Sequence, residues 1–452
     1  MGVLPGSASG RIRRSRGSVS AMGVHEDLLR RHKAVLPSWM ALYYDEPISI
    51  VDGEGRRVWD AEGNRYLDFF GGILTTMTGY KVPEVVAAIK AQADKMLHTS
   101  TLYLIESQIA LAEKIAELSG IPDAKVFFTN SGTEANDAAL MMATQYRSSN
   151  QILAMRGSYH GKSHSAVAIT GLRSWSATQL SPFHTVYVHS GYMYRSPFGH
   201  LDEAGYIAAC QDDLRDLLRV AVSGPVAALI AEPIQGVGGF ATPPDGFFGG
   251  LKEVLDTEGI LFICDEVQTG WGRTGEHFWG YQSHGITPDL MTFAKGLGNG
   301  LAMAGVVGRA EIVDSIASNS ISTFGGNPLA TAGALANLEY LLEHDLQTNA
   351  SKVGRQLRSD LEGLQDEVPN IGDVRGKGLM IGVEFVVPGG KDPDVPTTAR
   401  VMEEAKANGL LIGKGGVHGN VLRIAPPLSV TFEEATEGFE LLREAVRAAV
   451  AD

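Results

Sequence analysis

Cysteine is nearly absent: Cys210 and Cys264 are the only two in 452 residues. So isolated a pair offers neither a disulfide framework nor the spacing of a zinc site, which fits a reducing compartment. Cys264 closes the apolar run Ile260-Leu261-Phe262-Ile263-Cys264, where an inert buried thiol is the expectation. Long apolar runs are also missing, because Gly, Pro or a charge interrupts each one before it reaches a membrane-spanning length. Basic charge is in short supply. With 38 Lys and Arg against 52 Asp and Glu, the formal net charge is −14. A nucleic-acid partner is therefore not expected, since phosphate backbones need a basic face. Hydrophobic content of 44% and charged content of 20% exclude disorder of the whole chain.

The first 25 residues contain no acid, while Arg11, Arg13, Arg14 and Arg16 stand among serines and glycines. Three readings fit that composition: a transit peptide, a stretch upstream of a true start at Met22, or a disordered tail. The expected location is the cytoplasm, or the mitochondrion if the Arg-rich stretch is a transit peptide. At this length two or three domains are expected.

Strand-like runs at 48–51, 57–59 and 66–68 open the ordered part, separated by turn signals at Asp52-Gly53-Glu54-Gly55 and Glu62-Gly63-Asn64. Helical patterns follow at 83–96 and 104–119. From there to about residue 330, strand-like runs at 125–129, 151–155, 184–189, 225–231, 259–264, 289–294 and 304–308 alternate with helical stretches. That alternation predicts an α/β fold with a mainly parallel sheet covered on both faces. A helix starts at Pro328, whose missing N–H is harmless in a first turn. Strands near 379–386 and 420–425, a helix over 399–407 and a final helix capped by Thr431-Phe432-Glu433-Glu434 complete the chain. The expected division is a tail at 1–25, an N-terminal segment at 26–80, a large domain at 81–330 and a small one at 331–452.

In an open parallel sheet, ligands sit outside the carboxyl ends of the strands. Glu232 follows the run ending at Ala231, Asp265 and Glu266 follow Cys264, and Lys295 follows Ala294. A lysine at the end of a buried run needs a partner or a chemical use. A structural ion pair is one reading of it. Val126-Phe127-Phe128 leads into Thr129-Asn130-Ser131-Gly132-Thr133-Glu134-Ala135-Asn136. That is a strand, a small-residue loop and a helix start, where backbone N–H groups and hydroxyls can cradle a phosphate. It is not a Walker A loop, for no Gly-Lys-Ser/Thr follows, and a plain capped helix start is the competing reading. Taken together, a phosphate cradle, a strand-end acid and a strand-end lysine suit pyridoxal 5′-phosphate. The lysine joins its aldehyde, and the acid pairs with its pyridinium nitrogen.

At these residues the sequence resembles the class III aminotransferases of the fold-type I pyridoxal-phosphate enzymes, from about Trp39 to the C-terminus. The motifs are Asn130-Ser131-Gly132-Thr133-Glu134-Ala135-Asn136, Ser158-Tyr159-His160-Gly161, Ala231-Glu232-Pro233-Ile234-Gln235-Gly236, Asp265-Glu266-Val267-Gln268-Thr269-Gly270, Ala294-Lys295-Gly296 and Thr323-Phe324-Gly325-Gly326-Asn327-Pro328. Phe69-Phe70-Gly71-Gly72-Ile73, Gly270-Trp271-Gly272-Arg273-Thr274-Gly275 and the glycine-rich stretch before Arg423 point to the alanine–glyoxylate aminotransferase 2-like group.

The resemblance implies a large domain with a mainly parallel sheet and a smaller α+β domain built from both chain ends. It implies Lys295 as the Schiff-base lysine and proton carrier, and Asp265 on the pyridine nitrogen. Tyr159 and Val267 would hold the two faces of the ring, with Gln268 on its phenolic oxygen. Ser131, Gly132 and Thr133 would bind the phosphate, and Glu232 would lie near substrate and cofactor. Thr323 would reach the phosphate of a neighbouring subunit, which implies a homodimer with shared sites, or a tetramer of such dimers. Arg423 would grip the substrate carboxylate. Partners would be small amino acids and oxo acids; no metal is expected. Gly79-Tyr80-Lys81-Val82-Pro83 replaces the Gly-His-x-His-Pro of many relatives and weakens any transfer of a particular substrate. A lyase acting on a phosphorylated amine and a non-catalytic protein of the same fold are the alternatives.

Overall fold

Strands β1 (Ile50–Glu54), β2 (Arg57–Asp60) and β3 (Arg65–Asp68) form an antiparallel meander. The first strand runs on through Asp52-Gly53-Glu54, so its turn lies at Gly55 and Arg56 rather than across the whole expected signal, while the second turn falls at Glu62-Gly63-Asn64 as expected. The structure is a computed structural model and describes residues 23–40, 42–178 and 180–451. The Arg-rich stretch through residue 22 lies outside the described residues; a helix, Val24–Val35, begins directly after it.

The central sheet follows: β4 (Ala124–Thr129), β5 (Gln151–Met155), β6 (His184–Val188), β7 (Ala228–Ala231), β8 (Leu261–Asp265), β9 (Leu290–Phe293) and β10 (Ala304–Arg309). Its order is β4-β10-β9-β8-β7-β5-β6. Every residue of β5, β7, β8 and β9 is buried, as expected for strands covered by helices on both faces. These strands and β6 run parallel. β10 is the exception and pairs antiparallel with β9 and β4. Only residues 294–303 separate β9 from β10, too short a link for a helical crossover. Because β10 reverses direction twice over, β4 points the same way as β9, and its carboxyl end reaches the same rim as Asp265 and Lys295.

The rest of the chain supplies β11 (Ile371–Lys377), β12 (Met380–Phe385), β13 (Leu410–Leu411), β14 (Gly413–Gly415) and β15 (Val421–Ile424). β13 joins the N-terminal meander in parallel with β3, so the two ends of the chain share one sheet. The other four form the sheet β11-β12-β15-β14. The helix expected at 399–407 begins earlier, at Val395, with Pro396 in its first turn and the Asp394 side chain as its cap. The last helix, Phe432–Ala451, opens on a reciprocal capping box: Glu434 N–H donates to Thr431 Oγ1, and Thr431 N–H to Glu434 Oε2. Among the described residues no helix is long and apolar enough to cross a membrane.

One feature beside the pocket escapes helix and strand periodicity. Gly71, Gly72, Ile73 and Leu74 have φ of 52°, 57°, 65° and 60°, a single left-handed turn. Ile73 and Leu74 adopt it against the steric preference of L-residues, at about 1–2 kcal/mol each. Asp68 pins its entrance, Oδ1 accepting from Phe70 N and Gly71 N at 2.9 Å each. Tyr80 OH donates to the other oxygen of Asp68 at 2.6 Å. Thus Tyr80 braces this turn, while Lys81 beside it pairs with Asp52.

Candidate active site

Three adjacent strand ends carry the chemistry: Glu232 after β7, Asp265 closing β8 and Lys295 just beyond β9. The fourth wall comes from β4, which ends at Thr129 and leads into the helix Gly132–Arg147. These elements close on a cavity of about 190 Å³. Gly132, Thr133, Tyr159, Glu232, Asp265, Val267, Gln268 and Lys295 line it, together with Asn136, His160 and Gly161. Eight of the eleven residues singled out from the sequence therefore meet in one place. Ser131 caps the helix instead, its Oγ accepting from Glu134 N at 3.3 Å, and it is exposed. Thr323 is exposed on the loop before the helix Pro328–Glu343. Arg423 lies on β15, outside the cavity lining.

Asp265 is buried and well supplied with donors. Its Oδ1 accepts from Val267 N at 3.1 Å, and its Oδ2 from Asn136 Nδ2 at 2.8 Å. His160 Nδ1 stands 2.8 Å from the same Oδ2. Neither Asn136 nor His160 was singled out as a site residue from the sequence. The available signals were position: Asn136 sits one helical turn beyond Gly132, and His160 directly follows Tyr159.

Lys295 has φ of 41°, the left-handed region that a residue with a side chain enters only under constraint. Burial pulls its amine down to about 8, and Arg423 acts in the same direction, while Asp265 and Glu232 oppose. An amine so placed is far more available as a base near neutral pH than a surface lysine. Burial likewise pushes the Glu232 carboxyl up to about 7. That carboxyl accepts from Tyr159 N at 2.9 Å and Gly236 N at 2.8 Å. A carboxyl raised on folding gives the native state extra protons between its ordinary value near 4.5 and about 7. Its stabilising contribution is full below the lower value and disappears as pH rises through the upper. Glu232→Gln should flatten that decline in the ligand-free protein, read as a smaller change in urea midpoint between about pH 5 and about pH 8.

Arg423 is 3% exposed, its guanidinium 4.8 Å from the centre of the Phe70 ring. It donates to Tyr43 OH and Lys414 O at 3.0 Å each, and to Gly236 O at 3.4 Å. A guanidinium has five N–H donors, so capacity remains for a carboxylate. Arg273 is buried and donates to Pro426 O at 2.5 Å and Leu379 O at 3.2 Å, so it serves the scaffold. Trp271 and Met77 are core residues, whereas Trp39 is exposed. Cys264 is buried, and burial raises its thiol far from reactivity.

These residues fit pyridoxal phosphate. The N–H groups of Gly132 and Thr133 belong to the first turn of a helix, where no intrahelical acceptor exists for them. Gln268 Oε1 is buried without a partner at the cavity wall, as a group awaiting a donor would be. A strand-end carboxylate and a depressed lysine amine complete the set.

Comparison with known proteins agrees. The family model described as aminotransferase class-III matches residues 40–446. The alanine–glyoxylate aminotransferase 2 homolog 2, mitochondrial, of Arabidopsis thaliana is 40% identical over 414 residues, spanning 90% of this chain and 84% of that protein. A leucine/methionine racemase of Thermococcus litoralis is 37% identical, spanning 93% of this chain and 95% of that one. Among solved structures, a phospholyase from Arthrobacter in complex with phosphoethanolamine superposes with a TM-score of 0.85 at 31% identity, covering 93% of this chain and 100% of that chain.

Proposed function

This chain belongs to the class III aminotransferases, which use pyridoxal phosphate, and we propose that it moves an amino group from alanine or an ω-amino acid, such as β-alanine or 3-aminoisobutyrate, to glyoxylate or pyruvate. The observation that carries this reading is the meeting of Lys295, Asp265 and Glu232 around one cavity whose opposite wall is a helix start. Pyridoxal phosphate, when bound, supplies an aldehyde for the amino group and a ring that draws electrons from the substrate Cα.

Lys295 would hold the cofactor through its aldehyde, and its amine, once free, is placed to carry a proton from the substrate Cα. Asp265 holds the ring nitrogen in its charged form. Tyr159 and Val267 would hold the two faces of the ring, and Gln268, whose Oε1 has no partner in the structure, would reach its phenolic oxygen. Ser131, Gly132 and Thr133 anchor the phosphate, with Thr323 supplied by the partner of a homodimer. The apolar surface around Thr323 supports that last point: Ile321 and Phe324 are exposed, and Phe324 lies 5.2 Å from the ring of His98. Arg423 binds the donor carboxylate, which favours amino acids over phosphorylated amines. Release of the first oxo acid before the second binds makes the cycle ping-pong.

If Arg423 holds the carboxylate, Arg423→Met raises KM for alanine and β-alanine about 100-fold, with kcat within about threefold. An amine without a carboxylate should show no such change. The wider test is the absorbance of the cofactor-loaded protein during single additions of alanine, β-alanine and phosphoethanolamine. Bleaching by an amino acid, reversed by pyruvate or glyoxylate, supports transamination and identifies the donor. Release of phosphate and ammonia with colour retained means a lyase, and loss of optical activity from alanine without an oxo acid means a racemase.

A further inference from the structure

Beneath Asp265 lies a hydrogen-bonded amide whose orientation admits one solution. Asp265 and Thr292 are register partners on β8 and β9, so their side chains share a face of the sheet. The helix Gly132–Arg147 packs on β9, and Asn136 extends between the two side chains. Asn136 Nδ2 donates both to Asp265 Oδ2 and to His160 O, at 2.8 Å each. Thr292 Oγ1 donates to Asn136 Oδ1, also at 2.8 Å. Turning the amide over would set its oxygen against two acceptors, a carboxylate and a carbonyl, neither of which has a proton to give. All three side chains are buried: Asn136 at 1%, Thr292 at 0% and Asp265 at 4% exposure.

We propose that Thr292 and Asn136 are positioning residues for the cofactor: the Thr292 hydroxyl fixes the Asn136 amide, which holds Asp265 Oδ2 and so sets the orientation of the carboxylate that would face the pyridine nitrogen. The inference rests on the role given to Asp265 above. Thr292 lies outside the cavity lining, and Asn136, which lines it, spends its amide on Asp265, His160 and Thr292. Without the hydroxyl the amide keeps its two acceptors, but its buried oxygen is left without a donor, and the amide that donates to Asp265 is held less firmly in a site where an unmade hydrogen bond is expensive.

The test uses the cofactor-loaded enzyme and three substitutions. Thr292→Val removes the hydroxyl at nearly constant shape, Thr292→Ser retains it, and Asn136→Asp sets a second carboxylate against Asp265. Retention of pyridoxal phosphate on dialysis, the absorption maximum of the bound cofactor, and kcat and KM are measured for each. Thr292→Val is expected to weaken retention about tenfold, shift the maximum and lower kcat about tenfold with KM within about twofold. Thr292→Ser should return all of these to within about twofold of the parent. Asn136→Asp should weaken retention about 100-fold, because two carboxylates at that distance cannot both ionise. The inference fails if Thr292→Val retains cofactor and spectrum like the parent, or if Val and Ser variants are equally impaired, which would make the role one of packing. Asp265→Asn separates the two levels. If it loses the cofactor while Thr292→Val does not, only the inference falls; if it too behaves like the parent, the role of Asp265 falls and takes the inference with it.

Discussion

Replacing Lys295 with alanine is expected to abolish turnover, lowering kcat by more than about 10⁴-fold. A positioned base alone contributes about 10²–10⁴, and here the same amine also serves as the covalent anchor. The competing reading, a structural ion pair, makes the opposite forecast: mild loss of stability and retained turnover. The two can be separated cleanly, because alanine keeps the Cβ and hence the same backbone strain at φ of 41°. The loss should therefore come with a melting temperature at or above the parent's, since a buried amine depressed by desolvation is removed. Steady-state rates, with melting curves of the ligand-free protein beside them, decide the matter. Residual turnover within about tenfold of the parent would overturn the assignment.

Asp265→Asn is expected to lower kcat/KM by about 10²–10⁴-fold and to weaken cofactor retention with it. Removing one member of a buried charge pair costs about 3–5 kcal/mol, which is that range of fold-change. Asparagine is the informative choice because it preserves volume while offering a neutral partner. It also introduces a donor into a site already occupied by donors from Asn136, Val267 and, at Nδ1, His160. The amide must therefore turn its oxygen to one of them and its nitrogen toward another. A variant that kept full activity would mean that the pyridine nitrogen needs no anionic partner here.

The strands were legible because they are buried on both faces and end in charge. The runs at 151–155 and 304–308 match β5 and β10 almost residue for residue, and the acids and the lysine after β7, β8 and β9 stand where the sheet places a ligand. Hydrogen-bond partners across the sheet were not legible. Thr292 looks like any strand threonine, and only the register of β8 against β9 brings it level with Asp265. The reversed direction of β10 lay hidden in a short link rather than in the strand itself. Arg423 stands out through its motif, yet its contact with Tyr43, a residue near the other end of the chain, has no local signature. Ser131 has two readings in the sequence, helix cap and phosphate ligand, and the structure shows the first of them. The left-handed turn was announced only by the pair Gly71-Gly72, since the Ile and Leu that complete it favour other conformations.

That turn gives the pocket two histories of assembly. The lysine side is built from residues 124–309, in strands that succeed one another along the chain and close through modest loops. The surroundings of Arg423, outside the cavity lining, are different. Phe69 exchanges backbone hydrogen bonds with Leu411 and Ala425, and Phe70 packs so tightly on Gly413 that a Cβ there would fall 2.1 Å from its ring. Those contacts span most of the polypeptide, and they hold a turn that local preference resists. During synthesis the amine can be in place while the C-terminal strands are still unmade. On the roles proposed above, a growing chain would acquire its reactive amine before the arginine that selects its substrate.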